Sequence, residues 1–130
     1  MSSVRIIVVE DFAPFRQFIS ETLATARDLQ IICEVSDGLE AVQKAVELRP
    51  DLILLDIGLP NLNGIEAARQ IRELVPESKI IFLTQESSAD VMREARKLGT
   101  WGYVVKTNAA NDLLPAVEAV ISGKQFFGNT

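Results

Sequence analysis

Residues 52–56 read Leu52-Ile53-Leu54-Leu55-Asp56, and Ile57-Gly58-Leu59-Pro60 follows directly. A half-solvated strand alternates apolar and polar residues. An unbroken apolar run ending in a carboxylate instead suits a strand buried on both faces, as in a parallel sheet covered by helices. Ile6-Ile7-Val8-Val9, Ile80-Ile81-Phe82-Leu83 and Tyr103-Val104-Val105 are of the same kind. A fifth run, Ile31-Ile32-Cys33-Glu34-Val35, is interrupted by a charge and suits an edge strand.

Working outward, helix-period stripes separate these runs. They are Phe15, Phe18, Ile19, Leu23; then Ala41, Val42, Ala45, Val46; then Ile65, Ala68, Ile71, Val75; then Val91, Ala95, Leu98; and finally Leu113, Leu114, Val117, Val120, Ile121. Asp37 with Glu40, Asn63 with Glu66 and Ser87 with Asp90 have the spacing of helix N-terminal capping boxes. Pro115 falls inside the last stripe, where it removes a backbone donor, so the expectation is a helix that starts near Asp112 or bends there. The pattern is β-α five times over, an α/β class with a parallel sheet and right-handed crossovers. The expected domain covers residues 1–124, and 125–130 form a tail or the start of a linker. Phe126 and Phe127 are unusual for such a tail, either packing back on the domain or opening a link.

The bulk composition excludes several functions. With 130 residues, 48% of them apolar and 24% charged, the chain is the size and type of one globular domain. The formal charge of −5 repels phosphate backbones, so direct contact with nucleic acid is not expected. There is no histidine, which removes histidine bases, histidine metal ligands and Ser-His-Asp catalysis. The lone Cys33 reads as a small core hydrophobe in a reducing compartment. No apolar run reaches the ~18 residues needed to span a bilayer, and Met1–Arg5 do not begin a signal peptide. The expected location is cytoplasmic, with no membrane partner.

In an open parallel sheet, ligands bind beyond the carboxyl ends of the strands. The first run ends in Glu10-Asp11, the third in Asp56, the fourth in Thr84 and the fifth in Lys106. Three carboxylates, a hydroxyl and an ammonium therefore converge on one rim. Clustered carboxylates hold together best around a hard cation, and all-oxygen ligation favours Mg²⁺ or Mn²⁺. A carboxylate beside such an ion can attack phosphorus to give an acyl phosphate. Thr84 and Lys106 would then bind the phosphoryl oxygens.

As an ordered set, Glu10-Asp11, Asp56 with Pro60 and Gly64, Thr84 and Lys106 resemble the signature of bacterial response-regulator receiver domains, from Val4 to about Phe127. The resemblance implies a flavodoxin-like five-stranded sheet of order 2-1-3-4-5 with helices on both faces. It implies that Asp56 is the phosphoacceptor, charged by a partner histidine kinase or phosphotransfer protein. Asp11 would be a direct metal ligand, Glu10 would help through water, and the Gly58 carbonyl would be a further ligand. Lys106 would pair with the acyl phosphate, Thr84 would swing toward it, and Tyr103 would be the switch aromatic. Output would be a shift of the surface around the fourth helix, fifth strand and fifth helix, with a homodimer on phosphorylation as a further implied partner.

The runs Asp56-Ile57-Gly58-Leu59-Pro60 and Leu114-Pro115-Ala116-Val117 through Ser122-Gly123-Lys124 are similar to receivers of LuxR-type transcription factors, whose DNA-binding domain would lie beyond this chain. Four positions depart from the family's habits or tune its chemistry. Gln85 replaces a small residue, Gly58 and Glu86 occupy positions that tune dephosphorylation, and Thr107 replaces a proline after the lysine. Trp101 reads either as a partner anchor or as a packed aromatic. The cluster Arg93, Glu94, Arg96 and Lys97 reads as a solvated helix face that lies where the family binds partners.

Two other classes fit less well. A haloacid-dehalogenase-type phosphatase places its nucleophile in a D-x-D pair after the first strand, where this chain has Glu10-Asp11-Phe12. A flavodoxin-type carrier needs a glycine- and hydroxyl-rich phosphate loop there, and two carboxylates repel phosphate.

Overall fold

The structure, a computed structural model, describes residues 3–85 and 87–127. The strands are β1 (Val4–Val9), β2 (Leu29–Val35), β3 (Leu52–Asp56), β4 (Lys79–Thr84) and β5 (Gly102–Val105). The helices are α1 (Ala13–Leu23), α2 (Gly38–Leu48), α3 (Gly64–Leu74), α4 (Ala89–Lys97) and α5 (Ala109–Ile121), with a 3₁₀ turn over Lys106–Asn108. All strand pairs are parallel and the order is 2-1-3-4-5. The charged run is indeed an edge strand, although it begins two residues early, at Leu29, and carries a register shift opposite Ile6 and Ile7.

The continuous apolar runs follow from burial on both faces. Successive side chains of a strand point to opposite sides. Ile6, Val8, Leu52, Leu54, Ile81, Leu83 and Val104 pack against α1 and α5. Ile7, Val9, Ile53, Leu55, Ile80, Phe82 and Tyr103 pack against α2, α3 and α4. Helix stripes narrow to the residues that reach these layers: Val46 and Ile121, counted in the stripes, are exposed, whereas Ala41, Ala45, Val117 and Val120 are buried.

Two caps stand as expected, and one moves. Asp37 accepts from the Glu40 N–H at 2.8 Å, and Asn63 accepts from the Glu66 N–H at 2.9 Å. The cap of α4 is Ser88, not Ser87, and its Oγ accepts from Val91 N–H at 3.3 Å. The neighbouring serine wins because its own N–H is held at 3.2 Å by the Tyr103 hydroxyl, which fixes where the helix begins.

The expected start of the last helix near Asp112 is also corrected. Helix α5 begins at Ala109 and contains Pro115. The proline deprives the Asn111 carbonyl of its helical donor. Asn111 and Pro115 both lie on the exposed side, while Leu113, Ala116 and Val117 supply the burial that keeps the helix in place.

Phe126 and Phe127 fold back on the domain. Phe126 N–H donates to Trp101 O at 2.9 Å, and Tyr103 N–H donates to Phe126 O at 2.8 Å, a parallel bridge that covers the free edge of β5. Phe127 is 6% exposed within the layer that contains Tyr103, and the Arg96 guanidinium lies 4.3 Å from its ring centroid. Arg96 is therefore not a purely solvated member of its cluster. Arg93 pairs with Asp90, and Glu94 with Arg69 at 3.5 Å. Trp101 is half-buried with the Lys79 ammonium 4.4 Å from its ring, the arrangement of a packed aromatic. Phe127→Ala is expected to cost about 3 kcal/mol, the ordinary scale for deleting a buried phenyl ring. Urea unfolding checks this, and a change under about 0.5 kcal/mol would show that the segment contributes nothing to the core.

Candidate functional site

Each element ends where a functional side chain is needed. β1 runs into Glu10, whose N–H donates to Val35 O at 3.0 Å, so the end of β2 anchors it. β3 ends in Asp56, and Ile57 N–H donates to Leu83 O at 3.0 Å, tying the residue after Asp56 to β4. β4 ends in Thr84, paired in register with Val105, and Lys106 follows β5 directly. The loop after Asp56 turns through Asn61 at φ 67°, a left-handed conformation that asparagine tolerates. It returns at Gly64, whose N–H donates to Ile57 O at 2.8 Å.

The structure brings Glu10, Asp11 and Asp56 together, with one carboxylate oxygen from each lying within 4.8 Å of the others. Glu10 is 0% exposed and Asp56 4%, while Asp11 is open to solvent. Lys106 Nζ lies 2.8 Å from Glu10 Oε1 and 3.4 Å from Asp56 Oδ1, with its side chain only 8% exposed. The shorter contact lacks the angle of a directed hydrogen bond, so Glu10 Oε1 is buried with only a Coulombic partner. Glu10 Oε2 accepts from Phe12 N–H at 3.0 Å. Asp56 Oδ1 accepts from Gly58 N–H at 3.3 Å. Thr84 is buried at the rim, and Tyr103, 1% exposed, sits beneath it on β5 with its hydroxyl at the start of α4.

Burial pushes the Asp56 carboxyl above its ordinary range, and nearby Asp11 adds to this; the Lys106 charge and the Gly58 N–H oppose it without prevailing. Glu10 is raised for the same first reason, burial, against the adjacent Lys106 ammonium and the Phe12 N–H that it accepts from. Three carboxylates against one ammonium leave two formal negative charges when all are ionised. That deficit, the all-oxygen donor set and the undirected Glu10 Oε1 fit a hard divalent cation.

The sequence reading missed three contributors. Arg16 donates to the Glu10 carbonyl at 2.7 Å and pairs with Glu34 at 3.3 Å, which holds the β1 end against β2. Phe15, read as one more member of the α1 stripe, is half-buried with the Lys106 ammonium 5.0 Å from its ring centroid. Gly38 packs against the loop that follows Asp56, its N–H donating to Pro60 O at 3.3 Å. Helix periodicity reports only which face is apolar, and none of these contacts lies along one element. Gln85 is exposed just beyond Thr84. Glu86, singled out in the sequence, lies outside the described residues. The Lys106–Thr107 peptide is trans, and the chain enters its 3₁₀ turn there without the family's proline. Cys33 is half-buried against the core, and burial pushes its thiol up, in keeping with a hydrophobe.

A family model described as "Response regulator receiver domain" matches residues 6–118. The chain is 34% identical over 125 residues to the response regulator protein VraR of Staphylococcus aureus, covering 96% of this chain and 60% of that protein's length. It superimposes on a two-component response regulator of the LuxR family from Aurantimonas sp. SI85-9A1 with a TM-score of 0.91 at 28% identity, covering 97% of this chain and 90% of that one. The response regulator domain of Thermotoga maritima CheB gives a TM-score of 0.85 at 30% identity over 92% of this chain and 97% of its own. The rim of carboxylates, hydroxyl and ammonium thus stands on a sheet and sequence shared with these proteins, and the chain belongs to the response regulator receiver domains of two-component signalling systems.

Proposed function

We propose that this domain is a phosphorylation switch in which Asp56 accepts a phosphoryl group from a partner histidine kinase or phosphotransfer protein. The observation that carries this reading is the contact of one buried ammonium, Lys106, with both Glu10 and Asp56 at the rim. An Asp56 carboxylate oxygen attacks phosphorus. The new O–P bond forms as the P–N bond to the donor's imidazole breaks, and the imidazole leaves with that electron pair. Asp11, Asp56, the Gly58 carbonyl and, through water, Glu10 would hold Mg²⁺ or Mn²⁺, which supplies neutralising charge for the incoming phosphoryl oxygens. Lys106 leaves its carboxylate partners to pair with the acyl phosphate, and Thr84 donates its hydroxyl to a phosphoryl oxygen.

The new group adds roughly −1.5 to −2 charges beside a strand end. Thr84 answers that charge by moving, Tyr103 follows, and the α4-β5-α5 surface changes its affinity for an output partner. The Ser88 N–H to Tyr103 hydroxyl bond supplies a direct mechanical link from β5 to α4. The output is a DNA-binding domain joined to this one, since the chain spans 60% of the length of VraR and is similar to LuxR-family regulators. A second copy docked on the same face is the alternative consequence. Among the described residues no helix is long and apolar enough to cross a membrane, and the reading places the domain in the cytoplasm.

The test is intact mass after incubation with Mg²⁺ and acetyl phosphate. Gain of one phosphoryl group by the wild type is expected, lost on chelation and absent in Asp56→Asn. Because Gln85 stands exposed beside the site, a failure with acetyl phosphate is followed by beryllofluoride. Failure of both in Mg²⁺ would leave an interaction module that keeps the fold without the chemistry.

A further inference from the structure

We infer that Phe15 is a positioning residue for Lys106, holding its ammonium at the rim through a cation–π contact when the carboxylates are otherwise engaged; this rests on the phosphoacceptor reading above. Among the described residues Lys106 has three close partners. Two are the carboxylates of Glu10 and Asp56, at 2.8 and 3.4 Å. The third is the face of Phe15, with the ring centroid 5.0 Å from Nζ. A divalent cation in the Glu10, Asp11 and Asp56 cluster competes for the very oxygens that attract the ammonium, and it repels the ammonium as well. The phenyl ring is the one of the three partners that a cation bound to carboxylates does not engage.

The contact has the features that make cation–π attraction effective. The Lys106 side chain is 8% exposed, so little water competes for its charge. Phe15 sits in the first turn of α1 and is backed by Phe18, ring centroids 5.4 Å apart at 30°, so the ring is not free to follow the lysine. Phe12, Pro14, Phe18 and Thr107 join them around a recess of about 350 Å³, lined mostly by apolar side chains. A lysine chain has several rotatable bonds and loses substantial entropy when fixed. A ring that fixes the ammonium beforehand reduces what phosphoryl binding must immobilise.

The test measures Mg²⁺-dependent beryllofluoride affinity in wild type, Phe15→Leu, Phe15→Tyr, Lys106→Met and the Phe15→Leu/Lys106→Met double variant. Leucine keeps the apolar volume and loses the ring face; tyrosine keeps the face. Phe15→Leu is expected to weaken beryllofluoride about fivefold while Mg²⁺ affinity stays within twofold, and Phe15→Tyr to recover wild-type affinity. In the Lys106→Met background, Phe15→Leu should change nothing. An equal loss in that background would show that Phe15 acts only through packing and would overturn the inference. So would Phe15→Leu binding beryllofluoride as the wild type does. Wild-type protein that binds no beryllofluoride in Mg²⁺ would instead overturn the phosphoacceptor reading, and this inference with it.

Discussion

Gly64→Ala is expected to destabilise the domain by about 3 kcal/mol, a large share of the 5–15 kcal/mol typical of a domain. A Cβ at residue 64 would stand 2.2 Å from the Asp56 carbonyl oxygen and 2.7 Å from Ile57 Cα. Both obstacles are backbone atoms of the strand end that carries the candidate nucleophile, so neither can rotate away. Either α3 withdraws or Asp56 shifts. The variant should therefore lose Mg²⁺-dependent phosphorylation along with stability. Gly38 makes the matching contact from α2, where a Cβ would meet Leu62 O at 1.7 Å. Gly58 is the internal control, since a Cβ there meets nothing within 4 Å. Urea unfolding of Gly64→Ala and Gly58→Ala separates the cases. A Gly64→Ala stability within about 0.5 kcal/mol of wild type would mean that the close approach of α3 to Asp56 is not a constraint.

Asp56→Asn is expected to abolish phosphorylation and, without metal at neutral pH, to raise stability by on the order of 1 kcal/mol. The sign follows from the raised Asp56 pKa, whose leading cause is burial. A carboxyl that holds its proton more tightly when folded gives a native state with more bound protons than the unfolded chain. Stability then falls as pH rises from the ordinary carboxylate range through the raised native value. Asparagine has the same shape and no charge, so the advantage of the variant is full above that window. It vanishes in acid, where Asp56 is protonated in both states. Glu10, raised by its own burial, keeps part of the pH slope in the variant. Mg²⁺ should reverse the order. At ten times its dissociation constant it adds about 1.4 kcal/mol to the protein that binds it, and Asp56→Asn has lost one ligand. Melting curves at pH 4 and pH 7, with and without Mg²⁺, check all four points. A wild type more stable than the variant in chelator at pH 7 would show that the Lys106 contact outweighs burial.

The five buried runs and five stripes were legible because burial on two faces leaves strands no room for polar residues, while one-sided helices keep a period. Asp11, Asp56, Thr84 and Lys106 could be placed on a common rim because each ends or follows a strand, and parallel strands present the same end to solvent. The α4 cap was misplaced by one residue because two adjacent serines are equivalent locally; the Tyr103 hydroxyl, fifteen positions away, separates them. Of the two alternatives for α5, the start near Asp112 fails because the penalty of Pro115 is local, whereas burial against the sheet carries the helix back to Ala109.

The sequence by itself determined the α/β class, the chain order of the elements and the residue types at the rim, since these depend on periodicity and on neighbours along the chain. Only the tertiary structure decided which contacts those residues make: the Lys106 ammonium between Glu10 and Asp56, Phe15 beneath it, Phe126 bridged to β5 and Phe127 packed in the core. Each joins segments far apart in the chain, and the distance across such a junction is set by how the helices pack on the sheet rather than by any local preference.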